Sequence, residues 1–174
     1  IFLTNNCDYD IICLVETWLH PGITNASLEL GPYRVAARRD RGGYGGVLIL
    51  VKNNLKFFFF FFIDINIEAV SIQVLSSKRD IFTIVCMYRP PYNNRPYLNL
   101  LINYMNKICE NYPSSIFFVG DFNWPDIDWK NILNYEFNDN NPRMEDLFLN
   151  CCFKNSLHQI VTKITHPSSN AILD

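Results

Sequence analysis

The chain has 174 residues, of which 49% are hydrophobic and 18% charged. That is enough apolar mass for one domain with a sizeable core, and it excludes a disordered chain. A formal net charge of −2 and an isoelectric point near 5.9 exclude nucleic-acid binding by bulk electrostatics, so any such contact needs a local basic patch.

The first element is the apolar run Ile11 to Val15, as expected of a strand covered on both faces. It ends in Glu16-Thr17-Trp18, a carboxylate at the carboxyl end of a buried strand; an ordinary surface Glu fits equally. His20-Pro21-Gly22 opens a loop, and Pro32 to Ala37 reads as a second strand. Arg38-Arg39-Asp40-Arg41 then precedes Gly42-Gly43-Tyr44-Gly45-Gly46. These glycines allow a tight turn or a close backbone approach. No Lys and Ser/Thr follow them, so they do not make a phosphate-cradling P-loop. The arginines fit a solvated basic turn or a patch beside a phosphate-rich ligand. Val47 to Val51 is a third strand.

Phe57 to Phe62 are six consecutive phenylalanines with no polar handle. They read as low complexity without chemistry. Glu68 to Leu75 and Ile81 to Tyr88 form a hairpin joined around Ser76 to Asp80. Its second strand delivers a phenol and a guanidinium in Tyr88-Arg89-Pro90-Pro91. Asn94 caps a helix with Pro96 in its first turn. Leu98, Leu101, Tyr104, Met105, Ile108 and Tyr112 recur at helical spacing and face a core.

That helix crosses over to Ser115 to Val119, a short apolar strand. Gly120 permits a turn at its end, followed by Asp121-Phe122-Asn123. Residues two apart in extended chain point the same way. Asp121 and Asn123 can therefore face one cleft while Phe122 anchors the core. A carboxylate orients a water, binds a cation or accepts a proton, and a carboxamide donates to a phosphate oxygen. An Asx-turn explains the same two residues without chemistry. A second helix runs from about Asn141-Pro142 to Cys152, with Met144, Leu147, Phe148 and Cys151 inward. His158 to Ile164 is a weak strand or loop.

Six cysteines without a C-x-x-C pair, two of them in apolar runs, read as free thiols of a reducing compartment. His20, His158 and His166 lack zinc-ligand spacing. No apolar run reaches membrane-spanning length. Glu16, Tyr88, Asp121 and Asn123 each end a predicted strand, and this coincidence is the main functional signal.

Leu14-Val-Glu-Thr-Trp-Leu19, Tyr88-Arg-Pro-Pro91, Gly120-Asp-Phe-Asn123, Thr165-His166 and Leu173-Asp174 occur in an order that resembles the endonuclease/exonuclease/phosphatase superfamily. In flavour the chain is similar to the endonuclease domain of non-LTR retrotransposon polyproteins. The resemblance implies an α/β fold, a four-layer sandwich of two mixed β-sheets flanked by helices, spanning residues 1–174 as a single domain. It implies a DNA-nicking phosphodiesterase that uses Mg²⁺ or Mn²⁺. Glu16 would be the metal ligand, Asp121 would position or deprotonate the attacking water, and Asn123 and Tyr88 would hold the scissile phosphate. Asp174 would match the carboxylate that orients a catalytic histidine. Arg89, Arg38 and Arg41 are the candidate substrate-binding residues. DNA is the expected partner, with a reverse transcriptase domain in the same polyprotein, no membrane, and an intracellular site of action, nuclear if this is a retrotransposon product acting on genomic DNA.

There are departures. The family's catalytic Asn precedes Glu-Thr-Trp on its own strand, and Asn5-Asn6 lies in no such context. The family's Ser-Asp-His follows Leu-Asp, and His158 and His166 match no catalytic histidine. The chain is therefore expected to be a domain incomplete at both termini. Two other readings stay open: a degenerate non-catalytic domain, and a phosphatase of the same superfamily acting on a small phosphoester.

Overall fold

The computed structural model describes residues 8–29, 31–59, 66–76, 78, 80–91, 94–112, 115–167 and 171–173. They fall into two compact units. One comprises the segments Ile1–Tyr88 and Tyr112–Gly120, the other Arg89–Asn111 and Asp121–Asp174.

Two sheets build the first unit. Strands β1 (Ile11–Val15), β2 (Tyr33–Arg39) and β3 (Val47–Lys52) form an antiparallel sheet in the order β1-β3-β2, with a bulge between Val35 and Ala37. Strands β4 (Lys56–Phe59), β5 (Glu68–Leu75), β6 (Ile81–Tyr88) and β7 (Ser115–Asp121) follow one another in the second sheet, where β4, β5 and β6 pair antiparallel. Alternation along β1 and β3 explains why Ile11 to Val15 and Val47 to Val51 are apolar throughout. Ile11, Cys13, Val15, Val47, Ile49 and Val51 enter a core shared with Ile72, Val74, Ile84, Cys86 and Tyr88 of the second sheet, so the sheets pack face to face. Ile12, Leu14, Leu48 and Leu50 point the other way, onto Leu19, Ile23, Leu28 and Tyr33. Burying each such side chain stabilises the fold by roughly 1.5–3 kcal/mol.

Part of the phenylalanine run is strand β4, at the edge of the second sheet. Phe57 packs on the shared core under the Arg34 guanidinium, whose carbon lies 4.9 Å from the ring centroid, whereas Phe58 is exposed. Phe60 to Phe62 lie outside the described residues.

Strand β7 runs on to Asp121, past the turn expected at Gly120. Gly120 has φ +132°, and a Cβ there would overlap the Met87 carbonyl oxygen of β6. Close strand approach, not a turn, is what requires this glycine.

The second unit contains helices α1 (Arg95–Asn111) and α2 (Met144–Lys154). Asn94 caps α1 as expected, its Oδ1 accepting from the Tyr97 amide at 3.1 Å. Leu98, Leu101, Tyr104, Met105 and Ile108 form the buried stripe. Helix α2 begins just beyond Pro142 because Asp146 organises its first turn. The Asp146 carboxylate accepts from the Arg143 amide at 2.6 Å and from the Tyr135 hydroxyl at 2.8 Å. The Arg143 side chain bonds the same carboxylate, and these donors hold its pKa down at about 2. The buried side of α2 is Phe148, Leu149, Cys151 and Cys152, so Leu149 and Cys152 join the expected set and Leu147 is only half-buried. The two helices pack on each other, and Asn155 donates to Asn106 at 2.7 Å. Burial pushes the Cys151 and Cys152 thiols up to about 11 and about 12, and both are free. His158 to Ile164 forms no strand. Among the described residues no helix is long and apolar enough to cross a membrane.

Candidate active site

Strand β1 stops at Val15 because the chain leaves extended geometry there. Glu16 has φ +51° and Trp18 φ +56°, both in the left-handed region that non-glycine residues rarely adopt. Backbone bonds to the glycine-rich loop hold this segment: the Thr17 amide donates to the Gly46 carbonyl (3.3 Å) and the Trp18 amide to Gly45 (2.9 Å). The Tyr88 hydroxyl, arriving at the end of β6, donates to Glu16 Oε1 at 2.6 Å. One oxygen of an exposed carboxylate is thereby oriented.

The loop itself is fixed from below by Glu68. This carboxylate is fully buried, accepts from the Gly46 amide at 2.8 Å and forms an ion pair with Arg41. Gly45 lies so close that a Cβ would overlap Glu68 Oε2. Burial works against the charged Arg41 guanidinium, but Glu68 and Tyr44 outweigh it and raise its pKa. Sequence reading took Glu68 only as the start of a strand. Its signal is a carboxylate opening an apolar strand in a chain with an Arg-Gly-Gly segment to receive it.

In the second unit, Asp121, Asn123 and Arg89 make a compact clamp. The Arg89 amide donates to the Asp121 carbonyl at 2.9 Å. Asp121 Oδ1 accepts from the Asn123 amide at 2.9 Å, so the Asx-turn is present, and Asn123 has φ +50°. Asn123 Nδ2 donates to the Arg89 carbonyl at 2.7 Å. Arg89 Nη1 donates to the carbonyls of Asn123 (2.6 Å) and Phe122 (3.1 Å), and its guanidinium lies 3.6 Å above the Trp124 ring. Arg89 is 3% exposed, and burial lowers its pKa. Phe122 takes the anchoring place expected of it: its amide donates to the Leu173 carbonyl and its ring meets Phe148 at 5.9 Å. The turn fixes the backbone around Asp121 and still leaves its carboxylate half-buried rather than enclosed.

The expected substrate-binding arginines are engaged elsewhere. Arg89 clamps the Asp121 turn. Arg38 pairs with Asp40 at 3.0 Å with both side chains largely buried, and Arg41 pairs with Glu68. For Arg89 and Arg38 the reason is desolvation, since a largely buried guanidinium must find acceptors within the protein; Arg41 is partly exposed, and there it is the buried Glu68 carboxylate that demands the partner. Asp174 lies outside the described residues. Among those described, no group of three or more His, Cys, Asp or Glu side chains could hold a metal ion. Glu16 nonetheless offers an exposed, oriented carboxylate. That suits Mg²⁺, which takes one or two carboxylates and keeps several waters.

Glu16 and Tyr88 are thus joined in the first unit, and Asp121 and Asn123 in the second. The sequence pattern of the Endonuclease/Exonuclease/phosphatase family matches residues 3–150. The chain belongs to this family. Its fold is similar to that of a solved structure, the endonuclease domain of TRAS1, a telomere-specific non-LTR retrotransposon. The TM-score is 0.61 at 14% identity, and the match covers 83% of this chain and 64% of that one. This family member therefore spans less than two thirds of that structure's length. No curated protein shows significant similarity to it in sequence. Family and α/β fold agree with what the Glu-Thr-Trp and Gly-Asp-Phe-Asn motifs imply.

Proposed function

We propose that this family member is a retrotransposon-derived endonuclease domain that nicks DNA, hydrolysing a phosphodiester bond with Mg²⁺ or Mn²⁺. The observation that carries this reading is the 2.6 Å bond from the Tyr88 hydroxyl to Glu16 Oε1, between residues 72 apart in sequence. Two motifs that are separate in the chain serve one carboxylate.

Glu16 would hold the cation, which when bound neutralises charge on the phosphoryl oxygens. Tyr88 has a single proton and gives it to Glu16, so its resting role is to orient that carboxylate. Contact with a phosphate requires the proton to swing away. Asp121 would position the attacking water and accept its proton, with its turn pre-formed by the Asn123 amide. Asn123 would donate to a phosphoryl oxygen with the amide hydrogen that Arg89 does not take. The reading extends to a reverse transcriptase domain in the same polyprotein and to nuclear action on genomic DNA.

A second reading, a non-catalytic binding domain, is favoured by the internal pairing of Arg38, Arg41 and Arg89. Plasmid nicking separates the two. Relaxation of supercoiled plasmid is expected in Mg²⁺, with loss in EDTA and in Glu16→Ala and Asp121→Ala variants that keep their circular dichroism. A folded protein that leaves the plasmid intact in both Mg²⁺ and Mn²⁺ sinks the nuclease reading.

A further inference from the structure

Two large aromatic side chains stand in solvent, one on the Glu16 segment and one on the glycine-rich loop bonded to it. Trp18 is 61% exposed and Tyr44 is 57% exposed. Their segments meet through the Trp18 amide, which donates to the carbonyl of Gly45, the residue after Tyr44. Neither exposure is a by-product of a loose loop. Trp18 is held at φ +56° by that bond, a conformation costly for an aromatic residue. Tyr44 is held by Arg41, whose guanidinium lies 4.6 Å from the ring centroid on one face and donates to its hydroxyl at 3.1 Å. Arg41 is in turn pinned by the buried Glu68. Folding gains nothing from displaying an indole on a strained backbone, whereas Trp124 in the same chain is buried.

We propose that Trp18 and Tyr44 form a stacking platform for an unstacked DNA base next to the phosphate bound at Glu16. Every base has a π face, so such a platform binds without reading sequence. It also compensates for the arginines that are turned inward, because stacking needs no net positive charge. The substrate class that follows is single-stranded or locally opened DNA in preference to intact duplex. The proposal rests on Glu16 belonging to a phosphodiester site.

The test measures affinity with cleavage suppressed in Ca²⁺, using fluorescence anisotropy of a labelled single strand and of the matching duplex. A 2-aminopurine in the strand reports stacking directly. The single strand is expected to bind more tightly than the duplex and to show quenched 2-aminopurine. Trp18→Ala should weaken single-strand binding about 5- to 150-fold and abolish the quench, as expected for loss of one stacked base. Trp18→Phe, which keeps a ring, should restore most of both. Tyr44→Ala should weaken binding in the same direction. Wild-type affinity and quench in Trp18→Ala, with plasmid nicking intact, overturns the platform and leaves the nuclease reading standing. Equal affinity for duplex and single strand also overturns it. Absence of both DNA affinity and nicking in the wild-type protein overturns the two together.

Discussion

Replacing Glu68 tests whether the buried ion pair sets the geometry of the Glu16 segment. Glu68 is completely buried, while its partner Arg41 keeps 33% of its side chain in solvent. Removing one member of a fully buried pair costs roughly 3–5 kcal/mol, mostly for the charge left behind. Here Arg41 can rehydrate in part, so that term falls towards its lower end. Glu68→Ala also orphans the Gly46 amide, which costs about 1–3 kcal/mol when it stays buried. Together these give about 4–6 kcal/mol for Glu68→Ala. Glu68→Gln keeps an acceptor for Gly46 and loses only the charge, so about 1–2 kcal/mol is expected. At about 2–4 °C per kcal/mol for a chain of this size, the melting temperature falls about 2–8 °C for Gln and about 8–24 °C for Ala. Thermal unfolding followed by circular dichroism measures both. A Gln variant that loses Mg²⁺-dependent nicking about 10- to 100-fold while remaining folded would show the pair acting through the Gly45-Gly46 loop on Glu16. An Ala variant within about 0.5 kcal/mol of wild type, the usual range of inert surface changes, would refute the reasoning.

Gly120→Ala should prevent correct pairing of β7 with β6, because its Cβ overlaps the Met87 carbonyl; a soluble variant with wild-type melting would contradict this. Tyr88→Phe removes the hydroxyl that orients Glu16, and nicking should drop about 10- to 100-fold with little change in melting. Asp146 titrates at about 2 when folded, below its usual value of 3.8, so the unfolded state binds the extra proton. Its stabilising effect is therefore complete above about pH 4 and is lost as pH falls towards 2. Asp146→Asn should flatten the acid limb of a stability-versus-pH curve over that range, and an unchanged limb would count against the assignment.

The strands were legible where periodicity is local. β1 reads as buried on both faces because every residue is apolar, the apolar run Val47 to Val51 reads as a strand, and Asn94 with Pro96 marks the start of α1. What the sequence concealed are partner choices made at long range. A carboxylate opening an apolar strand signals that Glu68 needs a partner, but that Arg41, 27 residues earlier, supplies it is decided only by the fold. The inward turn of Arg89 depends on where Trp124 and two carbonyls come to lie. Glycine was read for its freedom to turn, but at Gly120 its value lies in the absence of a Cβ against β6, visible only once the strands are paired. The Asx-turn and the catalytic reading of Asp121-Phe122-Asn123 looked like rivals in sequence, whereas one oxygen bonded to an amide is compatible with both.

The engagement of Arg38, Arg41 and Arg89 has a consequence for how DNA would be held. Each phosphate neutralised by a basic side chain contributes about −0.7 to −0.9 to the slope of log affinity against log salt, through release of condensed counterions. Guanidinium groups already committed to Asp40, Glu68 or backbone carbonyls release none. These three arginines should therefore add little to the monovalent-salt slope of DNA association, and replacing any of them by Gln should leave that slope nearly unchanged. Under the proposed function, such a nuclease would not slide along duplex on these three side chains. It would dwell where a strand is already open.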